Sequence, residues 1–209
     1  MAAIEADVAF ICNPHNPTGT VVARASLEDF LDRCRARVVV VDEAYVEFTD
    51  DPQIGSVVGL AEGGRVVVLR TLSKLFGLAG ARVGYLVAAR PVVDVLRRIR
   101  PPFSVNAVAQ AAAIVGLADL EHRLSVRTMT LEGRKRLTEL FERSGYDVVP
   151  SQANFILVLA EDEVGLCSQL LRGGVSVRPG STLGIPGAIR VTVPTDDGFR
   201  LLEQALETS

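Results

Sequence analysis

The sequence predicts an α/β fold: a mostly parallel sheet covered by helices, joined to a small α+β C-terminal domain. Three observations carry that prediction. The runs Val38-Val39-Val40-Val41 and Val66-Val67-Val68-Leu69 are continuously apolar, the pattern of strands buried on both faces of a parallel sheet. Expected helices at 26–36 and 91–99 alternate with the strand candidates, as in a parallel, helix-covered sheet. Beyond residue 145 short strands surround two helices, the pattern of a compact α+β unit.

Taken in order, strands are expected at 8–12, 37–41, 66–70 and 83–88, with helices at 26–36 and 91–99. Arg97, Arg98 and Arg100 end the second helix before Pro101-Pro102, where cations complement the helix carbonyl end. After Ser104-Val105-Asn106, helices are expected at 107–118 and 121–144, the second long, charged and placed to join two domains. Strands at 147–149, 154–159, 175–178 and 188–193 and helices at 162–173 and 196–207 complete the chain. The expected division is therefore 1–103, part of a large domain; 104–144, connecting helices; and 145–209, the small domain.

Composition narrows the function class. Hydrophobic residues at 48% and charged residues at 22% are ordinary globular values, and a formal charge of −3 gives no electrostatic case for nucleic acid. Cys12, Cys34 and Cys167 are too few and too scattered for a disulfide framework or a zinc cluster, so no metal is expected and a reducing, cytoplasmic setting is the simplest expectation. The Met1–Ala9 stretch carries acids and lacks a basic region followed by an apolar core, unlike a secretory signal. No apolar run reaches membrane-spanning length, so no membrane partner is expected. No Gly-x-Gly-x-x-Gly follows the first strand, which argues against a dinucleotide-binding domain.

The chemistry concentrates in three segments. In Arg70-Thr71-Leu72-Ser73-Lys74-Leu75-Phe76-Gly77-Leu78-Ala79-Gly80-Ala81-Arg82-Val83-Gly84-Tyr85, a buried strand delivers an amine into a turn of small residues. Desolvation and nearby cations turn a lysine into a nucleophile able to form an imine with an aldehyde. The planar fork of Arg82 and the hydroxyls of Thr71 and Ser73 suit a phosphate. Amine and phosphate clamp together suggest pyridoxal phosphate, although a Ser-x-Lys turn also occurs as plain structure. The second segment, Asp42-Glu43-Ala44-Tyr45, ends the strand 37–41, where ligands of open α/β sheets gather. Asp42 suits a protonated pyridine nitrogen, or else caps a helix; Tyr45 can offer its phenol to the oxygen at the ring's 3-position. The third, Asn13-Pro14-His15-Asn16-Pro17-Thr18-Gly19, is a tight loop, because each residue before a proline is pushed out of the helical region. It holds the Asn16 amide in one direction. His15 reads as a loop residue, since nothing in the sequence pairs it with an acid.

In this order the three segments resemble the fold-type I (class I/II) aminotransferases that use pyridoxal 5'-phosphate, with the likeness strongest to the histidinol-phosphate aminotransferase branch. The resemblance runs through nearly all of the chain. It implies that the chain is a remnant of the large cofactor-binding domain plus the small C-terminal domain. It implies that Lys74 forms the imine and then shuttles the proton, that Asp42 holds the pyridine nitrogen protonated, that Asn16 and Tyr45 contact the 3-oxygen, and that Thr71, Ser73 and Arg82 bind the phosphate. Ser151-Gln152-Ala153-Asn154-Phe155-Ile156 is similar to the family's strand in which the asparagine, here Asn154, lies near the substrate carboxylate. By the same resemblance Arg190 clamps the substrate α-carboxylate and Arg178 takes a distal group such as a phosphate, with the alternative that either arginine is a surface charge. The chain departs from the family at Thr192-Val193-Pro194-Thr195, where a proline lacking an amide donor alters the turn into the last helix.

The resemblance further implies that the family's N-terminal part is missing. That part supplies a phosphate loop at a helix N-terminus, a ring that stacks on the cofactor and a tyrosine lent across a homodimer. The implied reaction is transamination, with histidinol phosphate as amino donor and 2-oxoglutarate as acceptor, in histidine biosynthesis. Pro102-Phe103-Ser104-Val105-Asn106 also resembles threonine-phosphate decarboxylases, and aromatic-amino-acid aminotransferases share nearly all the motifs. Of another class is an inactive remnant that binds only the cofactor or a partner chain. That reading predicts a large exposed apolar face.

Overall fold

The computed structural model describes residues 6–207. Residues 1–5, which hold much of the stretch unlike a secretory signal, lie outside the described residues. The chain forms two compact units, one of residues 1–14 and 21–127, the other of residues 15–20 and 128–209.

In the first unit β1 (Val8–Cys12), β2 (Val38–Asp42), β3 (Val66–Thr71) and β4 (Gly84–Val87) form one sheet in that order. β1 pairs β2 and β2 pairs β3 in parallel, with Cys12 opposite Asp42 and Asp42 opposite Leu69. β3 pairs β4 antiparallel, with Thr71 opposite Gly84. The segment 72–83 is short and holds only the single 3₁₀ turn Ala79–Ala81, whereas the longer 43–65 connection carries β2 over to its parallel neighbour β3 through the 3₁₀ segments Val46–Phe48 and Val58–Gly63. α1 (Arg24–Arg33) lies between β1 and β2 in sequence and buries Leu27 and Leu31 against Val39, Val41, Val66 and Val68. It starts two residues before the expected position, with Ala23 at the N-cap making no side-chain cap.

α2 (Arg90–Ile99) carries Pro91 in its first turn and Arg97 and Arg98 in its last. α3 (Ala107–Ala118) opens on Asn106, whose side chain accepts from the amide of Ala109 at 2.8 Å. Nearly all of α3 is apolar, yet Val108, Ile114 and Val115 are 79%, 71% and 67% exposed and only Ala109 and Ala113 are buried. α4 (Leu120–Arg143) is the expected long charged helix, and the division between the units falls inside it.

The second unit contains β5 (Val148–Val149), β6 (Phe155–Leu159), α5 (Glu163–Arg172), β7 (Arg178–Pro179), β8 (Ala188–Thr192) and α6 (Asp196–Glu207). Its sheet is antiparallel, in the order β5-β6-β8-β7. Leu137 and Phe141 of α4, Ile156, Val158, Leu166, Leu170, Ile189, Phe199 and Leu202 build its core. The strand expected at 175–178 is cut to Arg178–Pro179. The amide of Val175 bonds back to the Leu170 carbonyl at 2.9 Å and Gly174 takes φ +81°, so this stretch still closes α5 instead of pairing in the sheet.

Candidate active site

The C-terminal ends of β2 and β3 carry one group of the candidate residues, all within the first unit. Asp42, half-buried, ends β2, and its Oδ1 accepts the amide of Ala44 at 3.0 Å, so the carboxylate organises its own turn instead of capping a long helix. That turn leads into the 3₁₀ segment Val46–Phe48, with Tyr45 buried at its start. Thr71 ends β3, and its Oγ1 accepts the amide of Ser73 at 3.1 Å. The next turn is closed by bonds from Gly77 to the Lys74 carbonyl and from Leu78 to the Leu72 carbonyl, while Leu72, Leu75 and Phe76 anchor it in the interior. Lys74 is left half-buried with Nζ 5.3 Å from the centre of the Tyr45 ring. Arg82 is exposed, adopts a left-handed backbone with φ +54°, and donates Nη1 to the Ala79 carbonyl at 2.8 Å.

Behind these residues lies an ion cluster to which sequence reasoning gave no role. Glu43 is 2% exposed and accepts the Ser56 hydroxyl and the Val57 amide, each at 2.7 Å. Arg70 reaches Glu43 Oε2 from Nε at 2.9 Å and from Nη2 at 2.8 Å, and Glu47 Oε1 from Nη1 at 2.8 Å. Burial pushes the Glu47 carboxyl above its usual range, and Arg70 opposes that shift. Arg127 completes the support by donating to the carbonyls of Glu47 at 3.0 Å and Thr49 at 2.5 Å. The sequence holds a partial signal, acids four apart just after one buried strand and an arginine at the end of the next, but nothing in it pairs them.

The second unit carries the remaining candidates, Asn16 among them. Residues 15–20 join this unit through a bond from the Gln152 amide to the Gly19 carbonyl at 2.8 Å. Arg190 on β8 donates Nη1 to Asn16 Oδ1 at 2.5 Å, and its guanidinium stands 5.0 Å from the Phe155 ring centre. Its Nε is buried with no hydrogen-bond partner among the described residues. Arg178 is exposed and pairs directly across from Arg190 in the β7–β8 ladder. Like charges placed opposite one another repel, so this face favours an anion. Both arginines, with Ser176, Val177 and Thr192, line an open cleft of about 580 Å³. Asn154 is half-buried, and its carbonyl accepts the Val193 amide at 3.0 Å, just before β6.

A second unanticipated residue is Glu163, at the first turn of α5. It is buried, and its carboxylate accepts the amides of Ser181 at 3.2 Å, Gly187 at 2.9 Å and Ala188 at 3.2 Å, which ties down the loop joining β7 to β8. The Ser181 hydroxyl, with these amides, holds its pKa below the usual carboxylate value.

The family profile "Aminotransferase class I and II" matches residues 2–206. The chain is 44% identical over 214 residues to histidinol-phosphate aminotransferase 1 of Cupriavidus pinatubonensis, covering 99% of this chain and 57% of that protein. It is 43% identical to the histidinol-phosphate aminotransferase of Symbiobacterium thermophilum, covering 100% of this chain and 58% of that protein. Among solved structures, the histidinol-phosphate aminotransferase of Sinorhizobium meliloti in complex with pyridoxal-5'-phosphate superposes with a TM-score of 0.86 at 25% identity, covering 97% of this chain and 58% of that one. The chain thus spans a little over half the length of the relatives it matches. With a match that extends over almost every residue, the chain belongs to the class I and II aminotransferase family.

Proposed function

We propose that the complete protein transfers an amino group from histidinol phosphate to 2-oxoglutarate with pyridoxal 5'-phosphate as cofactor, and that this chain supplies the lysine side of the site. The observation that carries the reading is the placement of Lys74 beside the Tyr45 ring, just past the ends of two parallel strands. The donor set of the first unit fits the cofactor: an acid for the ring nitrogen, a phenol for the 3-oxygen, an amine for the aldehyde, and two hydroxyls with a guanidinium for the phosphate.

When bound, pyridoxal phosphate supplies an aldehyde carbon and a ring that takes up the electron pair released at the substrate Cα. Lys74 would hold the cofactor's aldehyde carbon and serve as base and then acid for the substrate Cα proton, its reach set by the closed turn 72–78. Asp42 keeps the proton on the ring nitrogen. Tyr45 and the amide nitrogen of Asn16 would serve as donors to the 3-oxygen, and Thr71, Ser73 and Arg82 would hold the phosphate. Arg190 pairs with the α-carboxylate of the 2-oxo acid, Asn154 lies near the same group, and Arg178 receives the phosphate of the amino donor. For the wider layout we propose residues 1–103 as the cofactor-binding part, 104–144 as connecting helices and 145–209 as the small domain, with the complete protein a cytoplasmic homodimer.

The test adds pyridoxal phosphate to the purified chain and follows visible absorbance, with Lys74→Ala as control. A band that requires Lys74 supports the reading and leads to assays with histidinol phosphate; no band from folded protein shows that this chain alone does not hold the cofactor. One observation favours a second reading, a module that acts by binding a partner chain: the exposed apolar surface of α3.

A further inference from the structure

The Lys74–Tyr45 juxtaposition has an identifiable support. Tyr45 lies between Glu43 and Glu47 in a turn held by bonds from Val46 to the Glu43 carbonyl and from Phe48 to the Tyr45 carbonyl. Lys74 lies four residues beyond Arg70, on the strand that feeds its turn. Arg70 grips the acids on both sides of Tyr45 with separate edges of its guanidinium, and all three side chains are at most 15% exposed. Ser56 and Val57 fix Glu43 from the far side, so the grip has little slack.

We propose that Arg70, with Glu43 and Glu47, is a positioning device that holds the Tyr45 ring against the Lys74 amine. None of the three touches the reacting atoms; they act by locking one turn against the other. The fork is essential, because a point charge cannot bond two carboxylates with fixed geometry. The functional meaning rests on the reading of Lys74 as the cofactor lysine, whereas the geometry can be tested without cofactor.

The sequence contains two lysines, Lys74 and Lys135, the second 81% exposed at its side chain. Reductive ¹³C-methylation of the full chain therefore gives two lysine signals, and an aromatic face 5.3 Å from Nζ displaces the Lys74 signal from the solvent-exposed position of Lys135. Arg70→Gln and Glu43→Gln are expected to abolish that displacement in protein that remains folded by circular dichroism. Leu31→Ala, a core truncation on α1, is expected to lower the melting temperature and preserve the displacement. If either Gln variant fails to fold, Glu47→Gln decides, with a partial loss expected. An unchanged Lys74 signal in the folded cluster variants overturns the proposal, as does an equal loss in Leu31→Ala, which would indicate general loosening. The unmethylated chain is scanned with pyridoxal phosphate in parallel. Absence of a Lys74-dependent band there shows that this chain alone does not hold the cofactor and leaves the positioning role to stand or fall on the methyl signals alone.

Discussion

Asn16 Oδ1 accepts a hydrogen bond from Arg190 Nη1 at 2.5 Å, joining a residue of the loop after β1 to a strand 174 positions away in sequence. The bond fixes one edge of the guanidinium, and packing over Phe155 fixes its plane. An arginine held on two sides is preorganised for a carboxylate, because little side-chain entropy is left to lose on binding.

Arg190→Ala is expected to weaken 2-oxoglutarate binding by about 10-fold or more, the weight of a charge-assisted hydrogen bond. Calorimetric titration of variant and parent checks this. Equal affinities would remove Arg190 from the anion site.

Gly19 takes φ +75°, and a Cβ there would run into the Ser151 side chain and lie 3.2 Å from the Ser151 Cα. Gly19→Ala combines a left-handed backbone penalty with an overlap against the Ser151 Oγ and Cβ, for an expected loss of about 2–4 kcal/mol. Denaturant unfolding measures the loss. A variant as stable as the parent would show that the contact yields easily.

Two acids give opposite pH signatures. The Glu163 pKa is lowered by folding, so its contribution is present above the unfolded value near 4.5 and is lost as pH falls through the folded value. The Glu47 pKa is raised, so its contribution is present below 4.5 and is lost as pH rises through the folded value. Relative to the parent, Glu163→Gln therefore loses ground as pH rises above its folded value, and Glu47→Gln gains ground as pH rises above 4.5. Urea melts across this range test both signs.

The exposed Val108, Ile114 and Val115 on α3 predict concentration-dependent association of the purified chain. Ile114→Glu combined with Val115→Glu is expected to shift it toward monomer in sedimentation velocity, with little effect on melting because neither side chain is in the core. A parent that stays monomeric at high concentration would refute this.

The parallel strands were legible because Val38–Val41 and Val66–Leu69 are buried on both faces and therefore uniformly apolar. Lys74, Asp42 and Tyr45 stood out because their positions after strands are unusual for such side chains. What escaped was long-range partnership. Nothing local to Glu43 says that Arg70 will reach it, nothing local to Glu163 says that its carboxylate will gather amides from 181, 187 and 188, and nothing in Asn16 names Arg190. The antiparallel turn of β4 and the shortened β7 were missed for a related reason. Apolar periodicity marks a strand but not its neighbour, its direction or how far a preceding helix cap extends.

Residues 15–20 belong with the C-terminal unit although residues 21–127, which follow them in sequence, belong to the first. A fragment beginning at Thr128 would hold the sheet and helices of that unit but would lack the loop that supplies Asn16 and packs Gly19 on Ser151. Excision at the apparent boundary would thus yield a body with a bare Arg190. The second unit cannot reach its final form until Asn16 and Arg190 have met across 174 positions, a closure of high contact order that makes its completion a late and slow event in folding.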